Sequence, residues 1–457
     1  MPLDECIAKI AYWRCLTFRT LPTDLARPSI GKTDRPLGVA AYRGMRSESA
    51  KLYVTWSSPS RYIRQTLKGT VPVSDERAEA SHSLMGGPYR ILIVGAGIAG
   101  LALGRALRLE GFLPEIVERT GALPAGGAGL YVPGNGVRAL KVLGLADEVL
   151  TRAVRITHQR ILDHRGRRLA EIDLTQFWNP VGPCVGIARR ELQRILLDGA
   201  GVPIRLGTTV KMLSQDSDEV NVVFADGSSG TYDLVVGADG IHSSMRQMVF
   251  DAPRPRHLGQ VSWRFLVDYS RRIDAWTAML GRQRAFLRVP VGPNRLYCYA
   301  DLVSPAALDP SHRDVDRFRA LFEDFAEPVP TILGALDGFE SIHFAPIEEI
   351  ATATWVRGRV VLVGDAAHAT SPNMAQGASM ALEDALVLTH TLATHSSAAA
   401  ALSAFADRRR NRLRWLRRRT HRRDRIRALP LRFRNLAIRF FGEALYRRDY
   451  RPLVEEP

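Results

Sequence analysis

The run YRILIVGAGIAGLALGRALRLEG, residues 89–111, constrains the fold more than any other part of the chain. Ile91–Val94 is a short apolar run of the kind buried in a parallel sheet. From Ile98 to Glu110 the apolar positions recur at helical spacing, and Gly111 ends them. Gly95, Gly97 and Gly100 fill the turn between. Glycine permits the tight turn and the close approach of a pyrophosphate, and the helix that follows offers unpaired amides to phosphates. Glu118 ends the next strand, PEIVER, 21 residues after Gly97, where a carboxylate can accept hydrogen bonds from a ribose. Strand, turn, helix, strand and acid in this order predict a dinucleotide-binding α/β unit, without separating NAD from FAD.

Two later stretches repeat the pattern of a buried strand ending in glycine and aspartate. DLVVGADGIHSSMR, residues 233–246, places Asp239 and Gly240 after one apolar run, where the plainest reading is a turn. VVLVGDAAHATSPNMAQGASMALEDALVL, residues 360–388, places Gly364 and Asp365 after another. Asp365 sits where it could accept a hydroxyl hydrogen bond or simply cap a helix. The small residues from Gln376 through Gly377 and Ala378 to Ser379 open a long helix whose first amides suit an anion or a polarised carbonyl. His368 has small neighbours and no visible acid partner, so it reads as structural.

Taken together, GAGIAG with Glu118, GADG, and GDAAH followed by Pro372, Gln376-Gly377 and Glu383-Asp384 resemble, in order and spacing, the group A flavoprotein monooxygenases, whose fold is that of para-hydroxybenzoate hydroxylase. GIARREL, residues 186–192, is similar to the helix start of that family, with Arg189 on the flavin side. The likeness runs from about Tyr89 to Leu392. One departure is Ala375, where many members carry glycine; a small residue is kept, so little loss is expected. The resemblance implies an α/β fold: a Rossmann-like FAD-binding domain, an inserted sheet-rich substrate domain and a C-terminal helical tail. It implies FAD held by Gly95, Gly97, Ile98, Ala99, Gly100, Glu118, Arg119, Arg189, Val210, Asp239, Gly240, Gly364, Asp365, Pro372, Gln376, Gly377, Ala378 and Ser379. Asp365 would meet the ribityl chain or a nearby phosphate, the backbone of 376–379 the isoalloxazine, and Pro372 the oxygenation pocket. NADH or NADPH would act as a transient co-substrate, since no second glycine fingerprint appears. O₂ would then form a flavin hydroperoxide that hydroxylates a small aromatic or other electron-rich organic substrate. No universal acid or base belongs to the resemblance, so no catalytic side chain is named.

The expected domains are an extension over 1–88, poorly ordered apart from a short helix near Glu5–Phe18, with Met85 as a possible natural start; an FAD domain over 89–155, 184–256 and 351–400; a substrate domain over 156–183 and 257–350; and a basic tail over 401–457. VNVVFADGSSGTYDLVV reads as two strands around Asp226-Gly227. In the substrate domain, strand alternation puts Trp263 and Phe265 on one face and Arg264 on the other, and Tyr297 and Tyr299 together. Trp263, Arg264, Tyr297 and Tyr299 are the candidate substrate contacts, with ordinary half-buried strand residues as the plain alternative. An arginine could pair with a phenolate or carboxylate.

Composition narrows the remaining classes. At 457 residues the chain exceeds one hydrophobic core. Its +16 charge is local: residues 405–457 hold 18 Arg and no Lys against six acids, which accounts for all but four of the excess charges. Leu413, Leu416 and Ile426 are at near-helical spacing, so the tail reads as a solvated basic helix on a narrow apolar stripe rather than a nucleic-acid site. Cys6, Cys15, Cys184 and Cys298 form no metal-ligand or disulfide spacing. With no apolar run of membrane length and a poor signal sequence, a cytoplasmic protein is expected. GASMA, residues 377–381, lacks one glycine of a nucleophile elbow and follows a loop rather than a strand, which disfavours a serine hydrolase. Halogenases share the fold, but their W-x-W-x-I-P signature is absent.

Overall fold

The computed structural model describes residues 89–122, 128–250, 254–270, 273–305, 309–350 and 354–457. The expectations for the extension, its helix and Met85 lie outside these residues. β1 (Arg90–Val94), β2 (Leu113–Glu118), β3 (Leu234–Gly237) and β4 (Val360–Leu362) form the centre of one sheet, in the order β4-β3-β1-β2. All run parallel, with Val94 opposite Gly237 and Gly237 opposite Leu362, so their C-terminal tips end in step. β1, β3 and β4 are covered on both sides, which is why they are continuous runs of Val, Ile and Leu. Helix α1 (Ile98–Leu109) packs beside α2 (Gly377–Thr394) on one face. The stretch 220–237 holds three strands rather than the expected two. Residues 220–224 and 229–232 pair as a hairpin in a separate sheet, and β3 leaves for the parallel one. Asp233 marks the break, its carboxylate accepting the Arg90 amide at 2.6 Å.

A seven-stranded mixed sheet forms the second layer, joining 158–163 and 168–173 to the strands between 256 and 349. Alternation sorts its residues. Trp263, Phe265 and Phe286 pack with Phe318, Phe322 and Phe344 in an aromatic core under the helices Val315–Ala320 and Val329–Gly334. The opposite face meets a small sheet, where a Cβ on Gly129 would lie 2.4 Å from Tyr297 Cβ and one on Gly186 2.1 Å from the Pro290 carbonyl oxygen. The two sheets therefore approach at these two points about as closely as backbones allow.

The tail departs from its expectation. It begins inside a helix: α3 (Ala398–Arg427) is followed by α4 (Leu431–Tyr450). Leu413 and Leu416 are buried as the stripe predicts, but so are arginines. Arg409 is fully buried, with Nε 2.7 Å from Asp384 Oδ1 and Nη1 2.9 Å from Glu383 Oε2. Arg412 clasps Glu383 at 2.7 and 2.8 Å. Arg427 pairs with Asp301, and buried Arg434 donates to the carbonyls of Leu280 and Gly281. The local charge count misled because these counter-charges come from elsewhere in the chain.

Burial alone would raise the Glu383 and Asp384 carboxyls. The charges of Arg412 and Arg409 on the first, and of His368 and Arg409 on the second, reverse this and hold both below their ordinary values. Their contribution to stability is therefore complete above about pH 4 and fades as pH falls through the depressed values. Arg409→Met should cost about 3–5 kcal/mol near neutrality by stranding buried carboxylates. In the variant Asp384 loses one of the charges that lower it, so its carboxyl lies higher than in the parent and the deficit should narrow as pH falls into the acidic range. Urea unfolding near neutrality and in the acidic range checks this; equal deficits in both would refute the charge argument.

Candidate functional site

The three aspartate- and glycine-bearing stretches converge because β4, β3 and β1 are neighbours whose tips end together. This is the crevice at the carboxyl edge of an open α/β sheet. Gly95 has φ +109°, and a Cβ there would lie 2.6 Å from the Ala238 carbonyl oxygen, so no other residue fits. Gly97 is the reverse case, with no atom within 4 Å of where its Cβ would be. The open space lies at the start of α1, whose first amides have no intrahelical partner. Ile98 and Ala99 are buried beneath the turn, and Gly100 packs against Gly95. Glu118 accepts from the Ala96 amide at 2.9 Å, and from the Thr120 amide and hydroxyl at 3.0 and 2.9 Å. Burial would raise its carboxyl, but these bonds bring it below the usual value, so it stays an acceptor at neutral pH. Arg119 is exposed beside it.

Asp239 spends its carboxylate internally. It accepts from Ser243 Oγ at 2.5 Å, Ser244 Oγ at 3.1 Å and the Met245 amide at 3.1 Å, fixing the helix Ser244–Phe250. A Cβ on the neighbouring Gly240 would meet no atom within 4 Å, and the side chain of Val210 is buried in a core. Asp365 differs. It is exposed and is the first residue of the short helix Asp365–His368, whose cap is Gly364 and which has no side-chain cap bond. The alternative of a helix-capping Asp365 is thereby removed. Its Oδ1 lies 3.9 Å from where a Cβ on Gly377 would be, so a free carboxylate and the small-residue start of α2 face each other.

Behind this start lies the buried network. Gln376 exchanges hydrogen bonds with Asn135 at 3.0 and 3.2 Å, and Asn135 donates to Glu383 at 2.9 Å. The Gln376 side chain is thus locked in the protein, while Ser379 Oγ is buried and unpartnered. Ala378 is half-buried between them. Asp384 Oδ2 accepts the Gly364 amide at 2.8 Å and meets His368 Nε2 at 2.5 Å. His368 does have an acid partner, 16 residues further along the chain, where no local pattern shows it: the contact spans a loop and the first two turns of α2.

The turn Pro372–Met374 is held by the tail. Arg423 donates to the Asn373 carbonyl at 3.1 Å, Tyr450 Oη to the Met374 carbonyl at 3.1 Å, and Asn373 to Asp424. Opposite stands the outer face of the second sheet. Arg264 lies over the Tyr299 ring at 5.7 Å, and Tyr299 Oη is buried without a partner. Burial pushes the Tyr299 phenol up to about 12 against the pull of Arg264 and Arg427, so it remains a donor. Tyr297 is raised chiefly by burial, and the charges of Arg264 and Arg189 both reach it, which joins the start of the helix Arg189–Ala200 to this group. Trp263 is corrected. Its ring is fully buried on the other face, stacked on Phe318 at 4.9 Å with Nε1 donating to the His312 carbonyl at 2.8 Å. Alternation had separated it from Arg264 correctly, but gave no sign of which face was the core. Asn135, Asp424 and Tyr450 were missed; each acts on residues more than 50 positions away.

An open cradle at a helix start, a ribose-ready carboxylate, a free aspartate and a flat small-residue edge suit a dinucleotide that carries a planar ring, and they define an FAD-dependent oxidoreductase of the hydroxylase fold. The chain belongs to the FAD binding domain family, whose profile matches residues 88–420. It is 33% identical to an FAD-dependent urate hydroxylase of Klebsiella pneumoniae over 71% of this chain and 87% of that protein. It is 34% identical to the 2-heptyl-3-hydroxy-4(1H)-quinolone synthase of Pseudomonas aeruginosa, over 65% and 79%. Klebsiella pneumoniae HpxO complexed with FAD and uric acid superposes with a TM-score of 0.70 at 30% identity, covering 82% of this chain and 95% of that one. The protein is accordingly an FAD-dependent monooxygenase.

Ala375, the residue that replaces the family glycine, has φ +48° and ψ +40°. The left-handed region costs a side-chain-bearing residue about 1 kcal/mol. Ala375→Gly should relieve it and raise stability by up to about 1 kcal/mol, measured by thermal melting of the flavin-loaded protein; a lowered melt would contradict the strain.

Proposed function

We propose that the enzyme hydroxylates a planar nitrogen heteroaromatic ring bearing an ionisable oxygen, bound between the Pro372–Met374 turn and the sheet face of Arg264, Tyr297 and Tyr299. The observation that carries this is the unpartnered, buried Tyr299 hydroxyl beside the Arg264 guanidinium. A buried donor without an acceptor is costly, and a ring oxygen with partial or full negative charge would satisfy it. The two curated relatives named above carry urate and a quinolone in their names, both nitrogen heterocycles. When bound, FAD supplies reduction by NADH or NADPH and activation of O₂. The protein's part is to hold and orient. Gly97 and the first amides of α1 receive the diphosphate, Glu118 the ribose, and Asp365 the ribityl chain. Ala378, Ser379 and their amides border the flat ring. Arg264 favours the ionised, electron-rich form of the substrate, Tyr299 donates to its oxygen, and the close sheet approach at Gly129 and Gly186 keeps water out. A cytoplasmic reaction fits the need for reduced nicotinamide.

Accelerated NAD(P)H oxidation with purine- and quinolone-type rings, coupled to incorporation of labelled oxygen, tests the substrate class. Arg264→Met should raise KM roughly ten- to a hundredfold by removing a charge-assisted bond, with flavin content unchanged. An unaltered KM would place the substrate elsewhere.

Asp365 gives a separate test. Asp365→Ala should weaken FAD binding about ten- to a hundredfold while leaving the apoprotein melt in place, since the side chain caps nothing; Asp365→Asn should lose less. Titration of both apoproteins with FAD checks this, and unchanged affinity would remove Asp365 from the cofactor site.

A further inference from the structure

Helix α4 buries one side against the protein and exposes a second, apolar side. Its inner side buries Arg434, Ile438, Tyr446 and Tyr450, and Gly442 sits against Ala170 of the strand Arg168–Asp173. Its outer side carries Phe433 at 42% exposure, Leu436 at 54%, Phe440 at 69% and Phe441 at 56%, and Leu429 just ahead of the helix is 40% exposed. These five are close to half of the eleven large apolar residues exposed among the described residues, gathered into 13 positions. Phe433, Leu436 and Phe440 follow the three- and four-residue spacing of one stripe. Scattered exposed leucines are ordinary, but a contiguous aromatic patch marks a surface that meets something apolar.

The charges around the patch say what that is. Residues 426–442 contain no acid. Arg432 and Arg439 flank the stripe and are exposed. Arg417, Arg418 and Arg425 add exposed charge on the preceding helix. The first acid beyond, Glu443, is already paired with Arg447 at 2.9 Å. A second copy of the chain meeting this face would bring arginine rims of the same sign together, which disfavours a self-complementary contact. An anionic lipid surface matches both properties, since aromatic rings enter the boundary between headgroups and acyl chains while guanidinium groups pair with phosphates. No described helix is long and apolar enough to cross a membrane, and α4, with arginines along its length, is suited to lie in the interface plane. Tyr450, on the same helix, holds the Pro372–Met374 turn, so the surface is built into the frame of the site.

We infer that the outer face of α4 docks the enzyme peripherally on anionic lipid bilayers, with Phe433, Leu436, Phe440 and Phe441 inserted and Arg432 and Arg439 on the headgroup phosphates. The test is co-sedimentation of the full-length, FAD-loaded protein with vesicles of phosphatidylcholine, with and without phosphatidylglycerol. The expected result is salt-sensitive binding to the mixed vesicles. Phe440→Ser with Phe441→Ser should weaken it roughly tenfold or more. Arg432→Gln with Arg439→Gln should weaken it about fivefold per arginine and remove the preference for phosphatidylglycerol. Retained flavin and an unchanged melt confirm that the variants are folded. No sedimentation of the parent protein overturns the inference, as does binding indifferent to the phenylalanine changes. A concentration-dependent dimer that the same changes abolish, without vesicle binding, overturns it in favour of a second copy.

Discussion

The carboxylates of Glu383 and Asp384 on α2 are the interaction on which the cofactor crevice depends. Both are buried, and they are tolerable because Arg409 and Arg412 reach them from α3 and His368 meets Asp384. One oxygen of Asp384 then takes the Gly364 amide and the His368 ring, while Glu383 fixes Asn135 and through it Gln376. The strand tip, the short helix after it and the start of α2 are thus tied to a single charged cluster. Exchanging the cluster for apolar residues of similar volume would release three separate backbone segments at once.

The second layer shows how one sheet serves two ends. Successive residues of the strand Arg256–Asp268 point opposite ways, so Trp263 and Phe265 build an aromatic core while Arg264 lies on the other face, over the Tyr299 ring. The stacked rings hold the strand, and with it the Arg264 guanidinium on the opposite face, in place. Rigidity on one side therefore supports polar placement on the other.

Much of this was legible in the sequence where it rests on local backbone chemistry. The glycine turn after β1, the strand ends at Asp239 and Asp365, and the helix from Gly377 each follow from short-range patterns, and family and fold agree with them. Three things were not legible. The role of Asp239 depends on two serines and an amide that happen to turn back on it. The choice between the two faces of the strand around Trp263 depends on helices 50 and more residues later. The burial of Arg409 and Arg434 depends on acids and carbonyls far upstream, so a solvated tail was the natural reading of a stretch so rich in arginine. Charge counts locate ions but not their partners.

The position of Arg409 along the chain has a consequence for biosynthesis. A polypeptide emerges from its N-terminus, so Glu383 and Asp384 leave the ribosome before the arginines that neutralise them. Until α3 follows, α2 cannot bury those carboxylates against the strand tips without a large electrostatic penalty. The nucleotide fold can begin early, but its crevice closes late, and a prematurely terminated product lacking the final helices would be left open and recognisable as incomplete.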